Sequence, residues 1–390
     1  MLHLTCPARP IHQRSSARPA RAVCCPARAS CRSASWSRRC PPACRWRSRR
    51  RAGRPPISPR SSAPGARTGR SQPWEEPDMN FGIHIGAMGG PLGEMRKLWQ
   101  FADAKGFDWF SVSDHFQESP PRGGDMDCYE AIATLAAAAM DTTRVRLGSG
   151  VYCVAYRNPG LLAKSLTTID HLSNGRVDCG LGAGWHDVEA RAFGYAFPSI
   201  GPREDMLEEY AQILRLLLDP EQKRANFPGK HFQVSNAPNY PKPLQPRIPI
   251  WIGGRGEKRT LRAAAKYADG WNGAYIGPDD WKHKSQVLDR WCETEGRDPK
   301  TIMRAVNLGF YLGADAKGIA RADELWRSHF GGSPARAERT GYLRGSVKDA
   351  REMVDQFRAL GCTRLSIALR EGPYDWDALE AFAAEIVRAR

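Results

Sequence analysis

Long apolar runs and metal-binding cysteine patterns are both missing from this sequence of 390 residues. No stretch of 18 consecutive apolar side chains occurs, so the sequence predicts no transmembrane helix. None of the eleven cysteines lies at zinc-ligand spacing with a histidine nearby, so no metal site is predicted. The scattered cysteines of the later part of the chain fit a reducing cytoplasm.

Two nucleotide-binding motifs are also incomplete. After Gly180 and Gly182, Trp185 stands where the dinucleotide fingerprint requires a third glycine. After Gly253 and Gly254, no Gly-Lys-Ser/Thr sequence follows at the spacing of a P-loop. These absences argue against both motifs.

Acidic residues and lysines are absent from the first 74 residues, which contain 17 arginines. The formal net charge of the whole chain is +16, but residues 79–390 hold 41 basic and 39 acidic residues. The basic character therefore belongs to the N-terminal segment. The near-neutral remainder argues against nucleic acid as a partner.

Residues 1–78 are rich in Arg, Pro, Ser, Ala and Cys and show almost no periodicity, so we expect a disordered extension. A transit peptide and a nucleic-acid-binding arm are both compatible with this composition. We favour a third interpretation, upstream DNA translated from a start codon assigned too early. Met79 begins a clear strand pattern, and Glu75-Glu76 could be encoded by a purine-rich ribosome-binding sequence. Intact-mass analysis of the protein from its own host would decide.

Strand and helix patterns alternate from Met79 onward, which predicts one α/β domain over residues 79–390 with a parallel sheet. Eight strands are predicted, at Asn80–Gly86, Trp109–Ser113, Val145–Cys153, Arg176–Gly182, Pro249–Gly253, Gly270–Tyr275, Met303–Leu312 and Arg364–Leu369. Helices are predicted between them, at Glu94–Lys105, Ala131–Met140, Gly160–His171, Arg203–Leu218, Glu257–Tyr267, Asp279–Glu295 and Val347–Leu360.

This order indicates a (β/α)₈ TIM barrel with insertions after strands 4 and 7. A doubly wound open sheet is the alternative. The first insertion, Asp219–Arg247, is rich in Pro and Asn and is expected to run over the barrel mouth. The second insertion, Gly313–Arg344, precedes the final unit. Because the carboxyl ends of barrel strands form the active site, the residues there are the candidate functional residues.

Glycines follow two of these strand ends. In Gly182-Ala183-Gly184 the missing side chains would let a ligand approach the backbone closely, although a tight turn without a ligand is equally compatible. Gly253-Gly254 precedes a predicted helix, and the N–H groups and dipole of a helix start favour an anion. The nearby basic residues, Arg255, Lys258 and Arg259, indicate a phosphate site, with a solvated basic helix start as the alternative.

The second strand ends at Asp114-His115. Imidazole titrates near neutral pH, so His115 is a candidate proton donor or acceptor. A histidine that only hydrogen-bonds within the fold is the alternative. The position of His115 at a strand end, in the same ring as the phosphate site, favours a catalytic role.

The motifs SDHFQ, YRNP, LSNGRVDCGLGAGW, PIWIGGRGEKRTL and YADGW follow one another within residues 79–390. In this order and spacing they resemble the luciferase-like monooxygenase family, and within it the branch that uses coenzyme F420, a deazaflavin. The resemblance implies a TIM barrel with a flavin-like ring bound at the strand carboxyl ends. It also implies a cis non-proline peptide bond against the ring, which would fall at Gly150-Val151.

The resemblance places His115 near the hydride-transfer carbon as the catalytic acid/base. The residues that it implies for cofactor binding are Asp114, Gly150, Val151, Gly182, Ala183, Gly184, Gly253, Gly254 and Arg255. The implied partners are a small organic substrate, a second copy of the chain in a homodimer, and a separate reductase that regenerates reduced cofactor. We expect a cytoplasmic enzyme with no membrane partner.

Two positions depart from the sugar-phosphate dehydrogenases of this family. Those enzymes have tryptophan where this chain has Ser119, and glutamate where it has Trp185. The departures argue against oxidation of a sugar phosphate. Trp185 would make the pocket more apolar and could stack on a flat group, with packing in the core as the alternative.

The leading hypothesis is F420-dependent hydride transfer to or from a small organic substrate. The main alternative is an FMN-dependent monooxygenase that uses reduced flavin and dioxygen. FMN lacks the anionic oligoglutamate tail of coenzyme F420, so an extended basic track would favour the deazaflavin. A flavin-binding barrel without activity and nucleic-acid binding by the N-terminal segment are further alternatives.

Overall fold

The computed structural model of this protein describes residues 79–118, 123–330 and 340–389. The extension expected over residues 1–78 lies outside these ranges, and so does Ser119. Within the described ranges, no helix is both long enough and apolar enough to cross a bilayer.

Eight parallel units form the barrel wall. The strands of the described residues are β1 (Asn80–Ile85), β2 (Trp109–Val112), β3 (Arg146–Ser149), β4 (Tyr152–Cys153), β5 (Cys179–Gly182), β6 (Ala225–Pro228), β7 (Gln233–Ala237), β8 (Ile250–Gly253), β9 (Gly270–Ala274), β10 (Met303–Leu312), β11 (Tyr342–Gly345) and β12 (Arg364–Leu369). The wall follows the order β3-β2-β1-β12-β10-β9-β8-β5-β4. A parallel bridge between Leu147 and Val177 brings the two ends of this sheet together. The predicted TIM barrel is therefore confirmed.

Helices cover the outside of the wall. They are α1 (Leu92–Lys105), α2 (Ala131–Asp141), α3 (Pro159–Leu172), α4 (Asp187–Ala192), α5 (Ile200–Leu218), α6 (Thr260–Tyr267), α7 (Pro278–Thr294), α8 (Ala316–Phe330), α9 (Val347–Ala359) and α10 (Trp376–Phe382). The side chains of β1 alternate between the two faces of the barrel wall. Phe81, Ile83 and Ile85 belong to the apolar layer beneath the helices, whereas Gly82 and His84 face the barrel interior.

Both insertions are more regular than the sequence indicates. The first contains the antiparallel hairpin β6–β7, and the Glu209 carboxylate on α5 accepts backbone hydrogen bonds from the hairpin turn. Asn239 then donates to Thr167 on α3 and to the Leu217 carbonyl on α5. The expected course over the barrel mouth is therefore wrong, because buried polar contacts hold this segment against α3 and α5. The second insertion contributes α8 and the short strand β11, which pairs with β10.

A buried ion pair fills the amino-terminal half of the barrel interior. The Arg364 guanidinium lies 4.6 Å from the ring centre of Trp109 and 4.2 Å from that of Trp251. The Asp178 carboxylate lies 3.5 Å from Arg364 and accepts a hydrogen bond of 3.0 Å from the Trp251 indole. These indoles also require glycine at three neighbouring positions. A Cβ at Gly82, Gly148 or Gly270 would fall within 2.7 Å of one of the two rings. The large rings close this end of the barrel, so the opposite end carries the site.

Candidate active site

The third barrel unit is interrupted at the barrel mouth. Its predicted strand divides into β3, which pairs with β2, and β4, which pairs with β5. The peptide bond between Gly150 and Val151, at the interruption, is cis. The expectation of a cis bond at this position is therefore confirmed.

The Val151 side chain explains why two of the predicted site residues, Gly182 and Gly253, are glycine. A Cβ at Gly182 would lie 2.5 Å from Val151 Cγ2, and a Cβ at Gly253 would lie 2.7 Å from Val151 Cγ1. The space that the sequence argument assigned to a ligand at Gly182 is thus taken by a valine of the same chain. The structure does bring these three predicted residues together, at the ends of neighbouring strands.

Asp114 follows β2 and is 3% exposed. Its Oδ2 accepts a hydrogen bond of 3.0 Å from the Cys153 N–H and pairs with the Arg157 guanidinium. Its Oδ1 is buried and has no hydrogen-bond partner among the described residues. Burial raises the pKa of Asp114, and Arg157 opposes this only in part. One carboxylate oxygen of Asp114 therefore remains available for a ligand.

His115 is paired with a carboxylate that the sequence analysis missed. Its Nδ1 lies 2.9 Å from Glu189 Oε2, and the Tyr156 hydroxyl lies 2.7 Å from the same oxygen. Glu189 projects from α4 and its side chain is fully buried. Burial opposes its ionisation, but the hydrogen bonds and charge of His115, with Tyr156, leave its pKa below the usual value. The strand end thus carries a histidine–carboxylate pair, an arrangement suited to moving protons.

Comparison with known proteins identifies the family. Residues 79–364 match the model of the luciferase-like monooxygenase family. This chain belongs to that family. Since the match includes β1 to the start of β12, it covers the barrel that carries the site.

Several curated luciferase-like relatives are named for coenzyme F420. An F420-dependent hydroxymycolic acid dehydrogenase of Mycobacterium tuberculosis is 31% identical over 229 residues, covering 58% of this chain and 61% of that protein. An F420-dependent glucose-6-phosphate dehydrogenase of Kineococcus radiotolerans is 32% identical over 232 residues, covering 58% of this chain and 66% of that protein. The chain thus spans less than two thirds of the hydroxymycolic acid dehydrogenase and about two thirds of the glucose-6-phosphate dehydrogenase.

Solved structures agree on the fold. An F420-dependent secondary alcohol dehydrogenase in complex with an F420–acetone adduct superimposes with a TM-score of 0.70 at 21% identity, covering 80% of this chain and 99% of that one. A long-chain alkane monooxygenase superimposes with a TM-score of 0.66 at 16% identity, covering 80% and 91%. Both proteins share the barrel of this chain.

The backbone of the glycine turn after β5 is held by an arginine in this luciferase-like barrel. Arg203 donates to the carbonyls of Ala183 and Gly184, and its guanidinium lies 4.0 Å from the ring centre of Phe197. Gly184 has a φ of +80°, and a Cβ there would lie 2.7 Å from Cys153 Sγ. These residues form an ordered rim beside the Asp114 contact with Cys153.

The predicted phosphate site is only partly as expected. The N–H of Gly254 donates to the Asn272 carbonyl, and α6 begins at Thr260. Arg259 pairs with Asp205 and Glu208, so its charge is already balanced. The other two predicted cations, Arg255 and Lys258, are exposed and form no ion pair within the described ranges. The structure therefore leaves two of the three expected cations free for an anion.

Trp185 is exposed rather than packed in the core. Its side chain is 60% exposed, its ring stacks on His186 at 4.9 Å, and it meets the His115 ring edge-on at 5.5 Å. The alternative of core packing is therefore wrong. An exposed indole beside His115 gives this rim of the site an apolar surface.

His84 is a second residue that sequence reasoning missed. It lies on β1 beneath the interruption, since a Cβ at Gly150 would fall 3.3 Å from His84 Nδ1. Its ring nitrogens contact the hydroxyls of Ser111 at 2.9 Å and Ser113 at 3.2 Å. Burial, followed by the charge of His115, lowers the pKa of His84 from 6.5 to about 4. The floor of the site is thus a neutral imidazole at physiological pH.

This neutral histidine should give the protein a distinct pH dependence. Between pH 6.5 and about 4, the unfolded chain binds a proton at His84 that the folded chain rejects. The free energy of unfolding should therefore fall as the pH falls through this window, by up to about 1.4 kcal/mol per pH unit. Chemical denaturation of wild type and His84→Gln at about pH 7 and about pH 5, above the range in which most carboxyl groups titrate, measures this difference.

His171 provides the matched control, because it is exposed on α3 and its side chain hydrogen-bonds the Lys242 carbonyl. His171→Gln should keep the wild-type slope. If the free energy of unfolding falls equally between about pH 7 and about pH 5 in wild type and in His84→Gln, His84 is not the source of the pH dependence.

Proposed function

We propose that this protein is an oxidoreductase that uses coenzyme F420 to transfer a hydride between the cofactor and a small organic substrate. The observation that carries the proposal is the pair of half-buried His115 and fully buried Glu189 beside Asp114, whose Oδ1 has no hydrogen-bond partner within the described ranges. The F420-dependent relatives named above support the choice of cofactor. The barrel mouth, where these residues meet, is the usual position of catalytic residues in this fold.

The residues present fit a flavin-like ring. The pyrimidine part of both flavin and deazaflavin carries an N–H group, and the buried Asp114 Oδ1 is an acceptor that needs such a donor. Val151, at the interruption of the strand, would support the ring. At the turn of Gly253 and Gly254, the exposed cations Arg255 and Lys258 would hold the phosphate, because the Gly254 N–H already donates to the Asn272 carbonyl. When bound, the deazaflavin supplies the hydride chemistry, and the protein supplies orientation and proton transfer.

His115 would handle the proton of the substrate. In the oxidative direction, the imidazole would accept the O–H proton of an alcohol as its C=O bond forms, and the bound deazaflavin would supply the hydride acceptor. In the reductive direction, His115 returns the proton to the oxygen. The nitrogen that faces the substrate must be unprotonated for oxidation and protonated for reduction. Glu189 holds the other ring nitrogen, Nδ1.

Trp185 supports a substrate with an apolar part. A sugar phosphate would need hydrogen-bonding and anion-binding side chains at this rim. The rim instead presents an indole that is 60% exposed, next to the imidazole. We propose an alcohol, aldehyde or ketone bearing an apolar group, rather than a sugar phosphate.

Binding titrations of the purified chain with F420 and with FMN test the cofactor. We expect F420 to bind at least about tenfold more tightly than FMN, a difference of about 1.4 kcal/mol. The exposed side chains of Arg255 and Lys258 should contribute, so the Arg255→Ala/Lys258→Ala double variant should weaken F420 more than FMN. Cofactor fluorescence follows both titrations.

Arg191 offers a matched control, since it is an exposed arginine on α4 that already pairs with Asp187. Arg191→Ala should leave both affinities unchanged. Tighter binding of FMN would favour a flavin-dependent monooxygenase instead, and failure to bind either cofactor would exclude both proposals.

A further inference from the structure

The hydrogen bonds around Glu189 determine where its protons are. Oε2 faces His115 Nδ1 and the Tyr156 hydroxyl, and Oε1 accepts from the backbone N–H groups of Phe116 and Gln117. Two of these four contacts come from backbone N–H groups, which can only donate. The lowered pKa of Glu189 agrees with an ionised carboxylate that only accepts.

An ionised Glu189 leaves one arrangement for its neighbours. The Tyr156 hydroxyl must donate, and burial together with the bond to Glu189 raises the pKa of Tyr156 far above its usual value, so the hydroxyl keeps its proton. His115 Nδ1 must also donate. In a neutral imidazole with hydrogen on Nδ1, the lone pair lies on Nε2.

We infer that Glu189, supported by Tyr156, holds neutral His115 in the Nδ1–H tautomer, which makes Nε2 the atom that exchanges a proton with substrate. This inference rests on the proposed function for the role of Nε2, whereas the tautomer itself follows from the contacts. Glu189 and Tyr156 are positioning residues, because they act through His115. Free histidine favours the opposite tautomer, so the fold must impose this one.

The fold fixes both positioning residues in place. His186 caps α4, because its Nδ1 accepts from the Glu189 N–H at 3.3 Å, and its Nε2 lies 3.3 Å from the Glu118 carbonyl. The Tyr156 ring packs against Phe116 at 4.9 Å and against Tyr195 at 4.9 Å. The Glu189 carboxylate could turn away from His115 only by losing the N–H groups of Phe116 and Gln117. The packed ring keeps the Tyr156 hydroxyl beside the same carboxylate.

Other polar groups near His115 do not compete for Nδ1. The Cys128 thiol donates to the His115 carbonyl, and Asp114 is engaged by Cys153 and Arg157. The titratable groups that lie near His115 are Asp114, Cys128, His84, His186 and Glu189. Among the described residues, only Glu189 makes a side-chain hydrogen bond with the imidazole of His115.

Nitrogen NMR of the cofactor-free protein tests the tautomer directly. The full chain, labelled with ¹⁵N-histidine, reports which ring nitrogen carries hydrogen, and His115→Ala assigns the signal. We expect neutral His115 in wild type to be at least about nine-tenths Nδ1–H, because an ionised partner fixes the tautomer. In Glu189→Gln the fraction should fall to about one half or less, since the amide can also donate.

Glu118 provides a matched control. It is another buried carboxylate of the same region, but it accepts backbone N–H groups of Gly124, Asp125 and Met126 rather than an imidazole. Glu118→Gln should leave the His115 tautomer unchanged, and Glu189→Asp should retain part of the Nδ1–H preference. Thermal unfolding of each variant shows whether it folds.

The outcomes separate the inference from the proposed function. An Nε2–H tautomer in wild type, or no change in a folded Glu189→Gln variant, overturns the inference whatever cofactor binds. A confirmed tautomer without F420 binding would overturn the proposed function alone. If both hold, Glu189→Gln should lower kcat by about 100-fold while the Kd for F420 changes by less than about threefold, because Glu189 acts on proton transfer.

Discussion

His115→Ala should lower kcat/KM for the F420-linked reaction by roughly 10²- to 10⁴-fold, the usual contribution of a positioned general acid/base. The imidazole lies at the carboxyl end of β2, beside Asp114 and against the exposed indole of Trp185. Without it, the substrate proton would have to move to or from water. Absorbance of F420, followed with a panel of apolar secondary alcohols and, in reverse, with the matching ketones, measures the rate.

A surface histidine of similar chemistry serves as the control. His283 contacts the Glu257 carboxylate at 3.0 Å, as His115 contacts Glu189, but its side chain is 55% exposed on α7. His283→Ala should retain wild-type activity, and both variants should bind F420 within about threefold of wild type, since neither change removes a proposed cofactor ligand. Retention of more than about a third of the activity in His115→Ala would remove the histidine from the mechanism.

Asp178→Asn should lower the free energy of unfolding by about 3–5 kcal/mol, because it leaves the buried Arg364 without its counter-ion. Arg364 lies between Trp109 and Trp251, and burial lowers its pKa despite the attraction of Asp178. The same carboxylate also pairs with Arg146 at the rim of the interior. Urea denaturation at neutral pH, with m-values compared between variants, measures the loss.

An exposed ion pair on α4 is the matched control for this substitution. Asp187 pairs with Arg191 across one helical turn, and both side chains are at least half exposed. Asp187→Asn should lower the free energy of unfolding by less than about 0.5 kcal/mol. Combining Asp178→Asn with Arg364→Met should restore much of the loss, because it removes the isolated charge. A loss below about 1 kcal/mol in Asp178→Asn alone would mean that Arg364 is solvated.

Local sequence patterns determined most of the barrel. β10 and β12 have the predicted bounds, and α9 starts at the predicted Val347, after a capping box formed by Ser346 and Asp349. These features depend on residues a few positions apart, so alternation and capping signals suffice to predict them. The position of the site at the strand carboxyl ends could also be predicted from the sequence, since parallel barrel strands place these ends together.

The short helix α4 and the hairpin β6–β7 were not predicted. α4 has only six residues, too few to show helical periodicity, and its start depends on the His186 side chain accepting from the Glu189 N–H. The hairpin is held by the Glu209 carboxylate on α5, about twenty residues earlier in the chain. Contacts between segments, rather than local pattern, form both elements.

The sequence by itself determined the family, the TIM barrel and the strand ends at which Asp114, His115 and Val151 lie. Only the tertiary structure decided how these residues are used. It filled the space at Gly182 with Val151 and exposed Trp185 beside His115. It also placed the Glu189 carboxylate on the imidazole of His115, which lies 74 positions earlier in the chain. The physical reason is that strand periodicity is a local property, whereas hydrogen bonding and burial depend on which distant segments the closed barrel brings together.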